Sequence, residues 1–285
     1  DILRTNEPVL LDTSAIGPGD LFEHIISHKA YESLDNVILE TELKAQELFM
    51  EVLSNTRVLT IPEVTKEIYD IFLRITKTKN YLDAQSNISE KTISGKSSFL
   101  MKNREIIDSI IYNLKKMQEL SSISELDIKD SSYKTFVEMI KKIEEIFHIK
   151  KNNNIKYGYK DKLWIKDTDE RLVAIFYWIC LNSQDSENNP AIVSADWDIL
   201  NLIGASSEVF LSYNLSKYNN KLRDSLIKTN PAVYILDDKN IGWAKKFSLQ
   251  TAKEKARNAY NCSIRKRIES LSEDFKPFFE ELNNQ

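Results

Sequence analysis

The chain has 285 residues, a formal net charge of −4 and 42% apolar residues, a composition typical of an ordinary folded domain. This balance excludes collagen-like, disordered and disulfide-scaffold proteins, and the mild acidity argues against a surface that coats nucleic acid. The longest apolar run, Leu172 to Leu181, has ten residues, whereas a membrane-spanning helix needs roughly 20. Two distant cysteines without metal-type spacing favour a reducing compartment, so we expect a cytoplasmic protein with no membrane partner.

The chain begins with a β-α-α-β-α pattern. Val9 to Leu11 form a continuous apolar run, typical of a strand that is buried on both faces. Two helical stretches follow at 21–29 and 39–53, and a second short strand is predicted over Arg57 to Thr60. The next segment, PEVTKEIYDIF, predicts a helix.

The middle of the chain has a different character. Residues 77–162 are rich in Lys, Ser, Asn and Ile, and they contain two long amphipathic patterns, Phe99 to Leu120 and Tyr133 to Ile149. We interpret this stretch as a helical insertion. Strands predicted at Ala191 to Ala195 and at Ala232 to Leu236 resume the alternation of strands and helices.

From about Trp243 to the end, the pattern predicts helices and no strand. The sequence therefore predicts one α/β domain over residues 1–242, interrupted by the insertion, and a helical tail over residues 243–285. Strands that alternate with helices indicate the fold class: a three-layer α/β/α sandwich with a central, mostly parallel sheet.

Acids at strand ends are the first candidates for chemistry, because ligands of open parallel sheets bind beyond the carboxyl ends of the strands. Asp12 and Asp196 occupy such positions, although each is also suited to capping the helix that follows. Glu67 lies three residues after Val64 and four before Ile71, so it borders the buried stripe of its helix. A carboxylate there is costly unless a cation or a hydrogen-bond partner is supplied.

The run DTDE offers two further acids. Asp169 stands three and four residues before Leu172 and Val173, which directs it along the buried face and makes it a candidate functional acid. Asp167 with Glu170 instead fits a helix cap and its partner. The DTD tripeptide is also similar to the D-x-D of haloacid-dehalogenase-type phosphatases, but here it is predicted to open a helix and not to end a strand.

Ser194, Asp196 and Asp198 alternate along the end of a predicted strand, so two of them can face one site. Asp198 is equally suited to starting the next helix. Acids gathered from distant segments repel one another, and a divalent metal ion resolves that repulsion. Mg²⁺ and Mn²⁺ take carboxylate oxygens and water, and a sequence without a His or Cys cluster argues against zinc. The best-known use of such a cluster is phosphodiester hydrolysis.

Four segments, PVLLDTSAI, VLTIPEVTKEIYD, DTDERLVAIFYW and AIVSADWDIL, resemble the signature segments of PIN-domain nucleases. The resemblance covers roughly residues 7–76 and 165–237. It implies an endoribonuclease that cleaves single-stranded RNA with one or two Mg²⁺ or Mn²⁺ ions. The catalytic and metal-binding residues that it implies are Asp12, Glu67, Asp169 and Asp196.

Thr13 and Ser14 match the small hydroxyl residues that often follow the first acid of that family. Ser194 is a further supporting candidate, and Asp198 and Asp167 are further candidate metal ligands, by position alone. Two other readings stay open. One is a PIN-like scaffold that binds RNA or a protein through the insertion without cutting, and the other is a structure-specific DNA nuclease.

Two basic segments are candidates for substrate contact. Residues 150–164 interleave five lysines with aromatic residues, as RNA-binding segments and solvated loops both do. A basic stretch of the tail is equally suited to phosphate contact and to a solvated helix face. The candidate contacts are Lys156, Tyr157, Tyr159, Lys160, Lys162, Lys253, Arg257 and Arg265. Single-stranded RNA is the expected partner, and a homodimer or an inhibitory protein partner is compatible with the sequence.

Overall fold

The structure is a computed structural model that describes residues 6–16, 58–70, 129–147, 167–183, 189–212, 218, 220–236, 244–260 and 272–284, with isolated positions between 73 and 115. The helices predicted at 21–29 and 39–53 lie outside these residues. So does the basic segment at 150–164.

A five-stranded sheet forms the centre of the fold. Its strands are β1 (Val9–Leu11), β2 (Val58–Leu59), β3 (Ala191–Ser194), β4 (Ala232–Leu236) and β5 (Ala244–Ser248). The order is β2-β1-β3-β4-β5, and all neighbours are parallel except β4 and β5. Every residue of β1 and β3 is buried, as expected for strands covered on both faces. The α/β class with a mostly parallel sheet is confirmed.

Helices surround this sheet in the described part of the chain. They are α1 (Thr13–Ile16), α2 (residues 62–70), α3 (Ser131–Phe147), α4 (Thr168–Asn182), α5 (Trp197–Phe210), α6 (Asn220–Thr229), α7 (Leu249–Tyr260) and α8 (Ser272–Asn283). Pro62 opens α2, where its fixed φ and missing N–H cost nothing. Among these helices, none is long and apolar enough to cross a membrane.

Helix α3 confirms the second amphipathic pattern of the predicted insertion. Its apolar face joins the main hydrophobic core, with Phe136, Met139, Ile140 and Ile143 fully buried. The Phe136 ring lies 6.4 Å from that of Tyr177 in α4 and 6.0 Å from that of Phe210 in α5. Residues that we interpreted as inserted therefore supply part of the core that supports the sheet.

Strand β5 corrects the prediction that the chain contains no strand after Trp243. Only Phe247 of its five residues is buried, and the exposed Lys245 and Lys246 mask any apolar alternation. The strand is held by antiparallel backbone pairing with β4. An edge strand of this kind carries charges because they oppose pairing with other chains, which is why its hydrophobic signal is weak.

Candidate functional site

The strand order places a topological switch point between β1 and β3. The chain leaves β1 to form β2 on one side, and it later adds β3 on the other side. In open α/β sheets, ligands bind in the crevice at the carboxyl ends of two such strands. Asp12 follows β1 directly, and Asp196 follows β3 by two residues, so both predicted strand-end acids lie at this crevice.

Asp12 is buried, with 5% of its surface exposed. Its Oδ2 accepts a hydrogen bond of 2.7 Å from the Ser194 hydroxyl and a second one from the Ser14 hydroxyl. Burial raises the pKa of the Asp12 carboxyl above its ordinary value of 3.8, although these hydroxyls and the backbone amides of Thr13 and Ser14 act in the opposite direction. The fold therefore holds a carboxylate whose charge is only partly compensated.

Glu67 is more deeply buried than its position at the edge of an apolar stripe predicts, with 2% exposed. It shares α2 with the fully buried Val64, and its two carboxylate oxygens accept from two different hydroxyls. Thr13 donates to Oε2 over 2.5 Å, and Thr168 donates to Oε1 over 2.8 Å. Glu67 thereby ties the end of β1 to the first residue of α4, which brings it to the same edge of the sheet as Asp12.

The first turn of α4 carries Thr168, Asp169 and Glu170. Thr168 and Glu170 are buried, with 4% and 2% exposed, whereas Asp169 is half-buried. The sequence reasoning missed Thr168 and Glu170. Helix α4 is apolar on nearly every side, so the spacing that favoured Asp169 before Leu172 applies equally to Glu170 and cannot select one face. No sequence signal identifies Thr168.

Asp196 is exposed and forms the N-cap of α5, with its Oδ1 accepting a 2.8 Å hydrogen bond from the amide of Asp198. Its own amide donates to the Ser194 hydroxyl over 2.8 Å. One hydroxyl thus links the Asp196 backbone to the Asp12 carboxylate. Asp198 lies half-buried in the first turn of α5, so the position that suits a helix start is the one that it occupies.

Asp167 occupies the predicted N-cap position of α4, but its side chain does not supply the predicted capping hydrogen bond. The residue has φ 70°, in the left-handed region that aspartate tolerates, and its carboxylate makes no capping hydrogen bond. It pairs instead with Lys141 Nζ of α3 at 2.8 Å. Because this ion pair occupies the carboxylate, Asp167 is the weaker of the two further candidate ligands.

The donor groups at this edge suit a hard cation, because they are carboxylate and hydroxyl oxygens. Among the residues that the structure describes, however, no three His, Cys, Asp or Glu side chains converge in a way that could hold a metal ion. Asp12 and Glu67 turn towards hydroxyls, and Asp196 turns towards an amide. The chemistry of the donors therefore fits Mg²⁺ or Mn²⁺, while the side chains are oriented towards neutral partners.

Two of the predicted substrate contacts have another role. Arg257 of α7 donates from two nitrogens to the buried Glu208 of α5, each over 2.7 Å, and Lys253 Nζ lies 3.7 Å from the same carboxylate. Their charges neutralise this buried acid, which gives both side chains a structural role, and their contact with phosphate stays a prediction. Arg265 and the five candidates between Lys156 and Lys162 lie outside the described residues.

Comparison of the chain with protein-family models, with curated proteins and with solved structures finds no match.

Proposed function

We propose that this chain is a PIN-like, metal-dependent nuclease that cleaves single-stranded RNA. One observation carries the proposal: at the switch point, the buried Asp12 carboxylate is held by hydroxyls and backbone amides, and burial raises its pKa. A buried carboxylate is costly unless a charge compensates it. Neutral hydroxyls can turn away when a cation binds, so this environment suits a carboxylate that serves as a metal ligand.

The site residues have two roles: the acids hold the metal ions, and the hydroxyl residues orient the acids. Asp12, Glu67, Asp169 and Asp196 would hold one or two ions, as the resemblance to PIN-domain nucleases implies. Bound Mg²⁺ or Mn²⁺ supplies activation of water and neutralisation of the charge that develops on the phosphate. Ser14 and Ser194 orient the Asp12 carboxylate through the hydrogen bonds that they donate to its Oδ2.

Thr13 and Thr168 orient Glu67 in the same way, one from each side. Through Glu67, the two threonines connect the start of α4 to the end of β1. Asp169, the residue after Thr168, therefore lies near the same edge of the sheet. RNA is preferred as the substrate because the resemblance implies it and because lysines and aromatic residues alternate in the segment 150–164.

A non-catalytic scaffold is the second candidate, and one observation favours it. No three acids converge among the described residues, and the Glu67 carboxylate oxygens each have a hydroxyl partner. A protein that used the crevice only for binding would not need carboxylates that converge on a metal ion. The two candidates differ in whether strand cleavage depends on Asp12.

The test is cleavage of end-labelled single-stranded RNA, and of DNA of the same sequence, by the purified chain with Mn²⁺ or with EDTA. Wild type is compared with Asp12→Asn and with the matched control Asp274→Asn, whose carboxyl group lies on α8 and is 54% exposed. We expect wild type and the control to cleave RNA with Mn²⁺. EDTA or Asp12→Asn should slow cleavage by about 100-fold or more, because each removes part of the metal site.

Thermal melting with and without Mn²⁺ accompanies the cleavage assay. If the ion raises the Tm of wild type more than that of Asp12→Asn, Asp12 contributes to metal binding. RNA that binds to the chain but stays intact, with no Mn²⁺ effect on Tm, would reject the nuclease and favour the scaffold. Cleavage of DNA in preference to RNA would mean that the substrate is DNA, and the proposed metal-dependent mechanism would stand.

A further inference from the structure

Trp197 is a large apolar side chain on the surface beside the candidate site. It is the first residue of α5, directly after Asp196, and 48% of its surface is exposed. Its ring meets that of Phe247 in β5 with the centroids 5.9 Å apart and an interplanar angle of 73°. Phe247 is 2% exposed, so the core anchors the indole while a large part of it stays open to solvent. Such an indole is a preformed surface for stacking.

Lys245 lies in the same row of the sheet as a residue of the candidate site. Ser194 of β3 pairs with Ile235 of β4, and Ile235 pairs with Lys245 of β5. Paired residues of neighbouring strands point to the same face. Since Ser194 donates to Asp12, the row runs from the buried carboxylate to the lysine. Two strand spacings of about 4.8 Å separate the backbones of Ser194 and Lys245 by about 10 Å.

Lys245 and Trp197 both lie against the ring of Phe247. Lys245 Nζ lies 5.9 Å from the centroid of the Phe247 ring, the same ring that Trp197 contacts. The Lys245 side chain is exposed, and within the described part of the chain no acid forms an ion pair with it. We call Trp197, Phe247 and Lys245 the stacking ledge. It combines the exposed ring of Trp197 with the exposed positive charge of Lys245, beside the acids of the candidate site.

We propose that the stacking ledge is a subsite for single-stranded nucleic acid, in which a base stacks on Trp197 and Lys245 contacts a backbone phosphate. Stacking on an aromatic side chain accepts any base, and a lysine offers a compact charge to a phosphate. Duplex bases already stack on one another, so the ledge selects unpaired strands. The inference rests on the proposed function, because that function supplies the phosphodiester strand that would pass the crevice.

The test is binding of a fluorescein-labelled, mixed-sequence single-stranded RNA of 12 nucleotides to the full chain, measured by anisotropy in EDTA so that no cleavage can occur. We expect Trp197→Ala to weaken binding by about fivefold or more and Trp197→Phe to weaken it less, since a ring remains. Lys245→Ala should also weaken binding, and it should reduce the slope of log Kd against log salt by about 0.7, the value for one phosphate contact to a single strand.

The matched controls lie on α6, which carries none of the ledge residues. Ile227→Ala removes an apolar side chain that is 63% exposed, and Lys221→Ala removes an exposed charge. Neither control should change the Kd. Melting temperatures are measured for every variant, and if Trp197→Ala is not folded, Trp197→Phe and Lys245→Ala decide. Quenching of indole fluorescence by the RNA should shrink in Trp197→Phe, because stacked bases quench the indole that they cover.

The ledge and the nuclease can fail separately. If Trp197→Ala and Lys245→Ala bind RNA as wild type does, or if wild type does not bind the RNA at all, the ledge is rejected. Cleavage by wild type that is lost in Asp12→Asn would then still support the nuclease. If binding depends on Trp197 and Lys245 while no cleavage occurs with Mn²⁺, the ledge stands and the nuclease fails.

Discussion

Replacing Gly204 with alanine should destabilise the fold, although alanine is the better helix former. Gly204 lies in the middle of α5, where α7 packs against it. A Cβ at this position would lie 2.3 Å from the carbonyl oxygen of Ala252 and 2.8 Å from its carbonyl carbon. It would also lie 2.8 Å from Cβ of Ala256. The nearest atoms belong to the backbone of another helix, so no side-chain rotation relieves the overlap and the two helices must separate.

Two opposing effects set the size of this change. Helix propensity favours alanine over glycine by about 1 kcal/mol. Forcing a methyl group into a packed interface costs about 1–3 kcal/mol, and contact with backbone atoms places Gly204 at the upper end. We expect Gly204→Ala to lower the free energy of unfolding by about 1–2 kcal/mol. For a chain of this size, that loss lowers the Tm by about 2–4 °C.

Urea unfolding followed by circular dichroism measures the effect, with Lys255 as the matched control. Lys255 is exposed on α7, so Lys255→Ala compared with Lys255→Gly gives the propensity difference without a new contact. The packing argument is refuted if Gly204→Ala gains the stability that this control pair gains. Ala256→Gly added to Gly204→Ala should restore only part of the loss, because the Ala252 carbonyl remains.

Three other changes test contacts at the site and around it. Burial raises the pKa of Asp12 above 3.8, so the folded chain holds this proton more tightly than the unfolded chain does. The stability of wild type relative to Asp12→Asn should therefore fall as the pH rises above about 4, and thermal melts that show no such fall would contradict this. Thr168→Val removes the donor to Glu67 Oε1 and should cost about 1–3 kcal/mol in urea unfolding, whereas Thr168→Ser keeps the hydroxyl and most of the stability. Arg257→Ala leaves the buried Glu208 with a single distant cation and should cost about 2–3 kcal/mol, with Arg257→Lys intermediate; equal melting temperatures would refute the role of this pair.

The sequence predicted the central strands well because each is apolar along nearly its whole length. Ala232 to Leu236 was predicted as a strand, and β4 has those bounds. β1 and β3 likewise consist of residues that only a sheet covered on both faces can bury. β5 escaped prediction because backbone pairing with β4, and not side-chain burial, holds it in the sheet. Backbone pairing leaves no hydrophobic pattern in a short, charged segment.

The site was predictable to the extent that it depends on strand order. Acids after β1 and β3 had to meet at one edge once the sheet was parallel, so Asp12 and Asp196 needed no further information. Glu67 required only that its helix pack on the sheet. Which residues of the first turn of α4 face the crevice could not be predicted, because a helix buried on nearly all sides has no preferred apolar stripe. Asp167 is at the predicted N-cap position, but no spacing rule indicates its left-handed φ or the lack of a capping hydrogen bond from its side chain.

The partners of the buried and half-buried acids separate structural from functional candidates. Glu63, Asp167 and Glu208 each pair with a lysine or an arginine, and each pair joins two helices. Asp12 is as deeply buried as Glu208, yet the groups that donate to it are hydroxyls and backbone amides. A lysine in their place would neutralise the carboxylate, but it would also occupy it permanently. Hydroxyls hold the carboxylate in position and leave its negative charge in place. This is the arrangement expected if Asp12 must remain available to a cation that binds with the substrate.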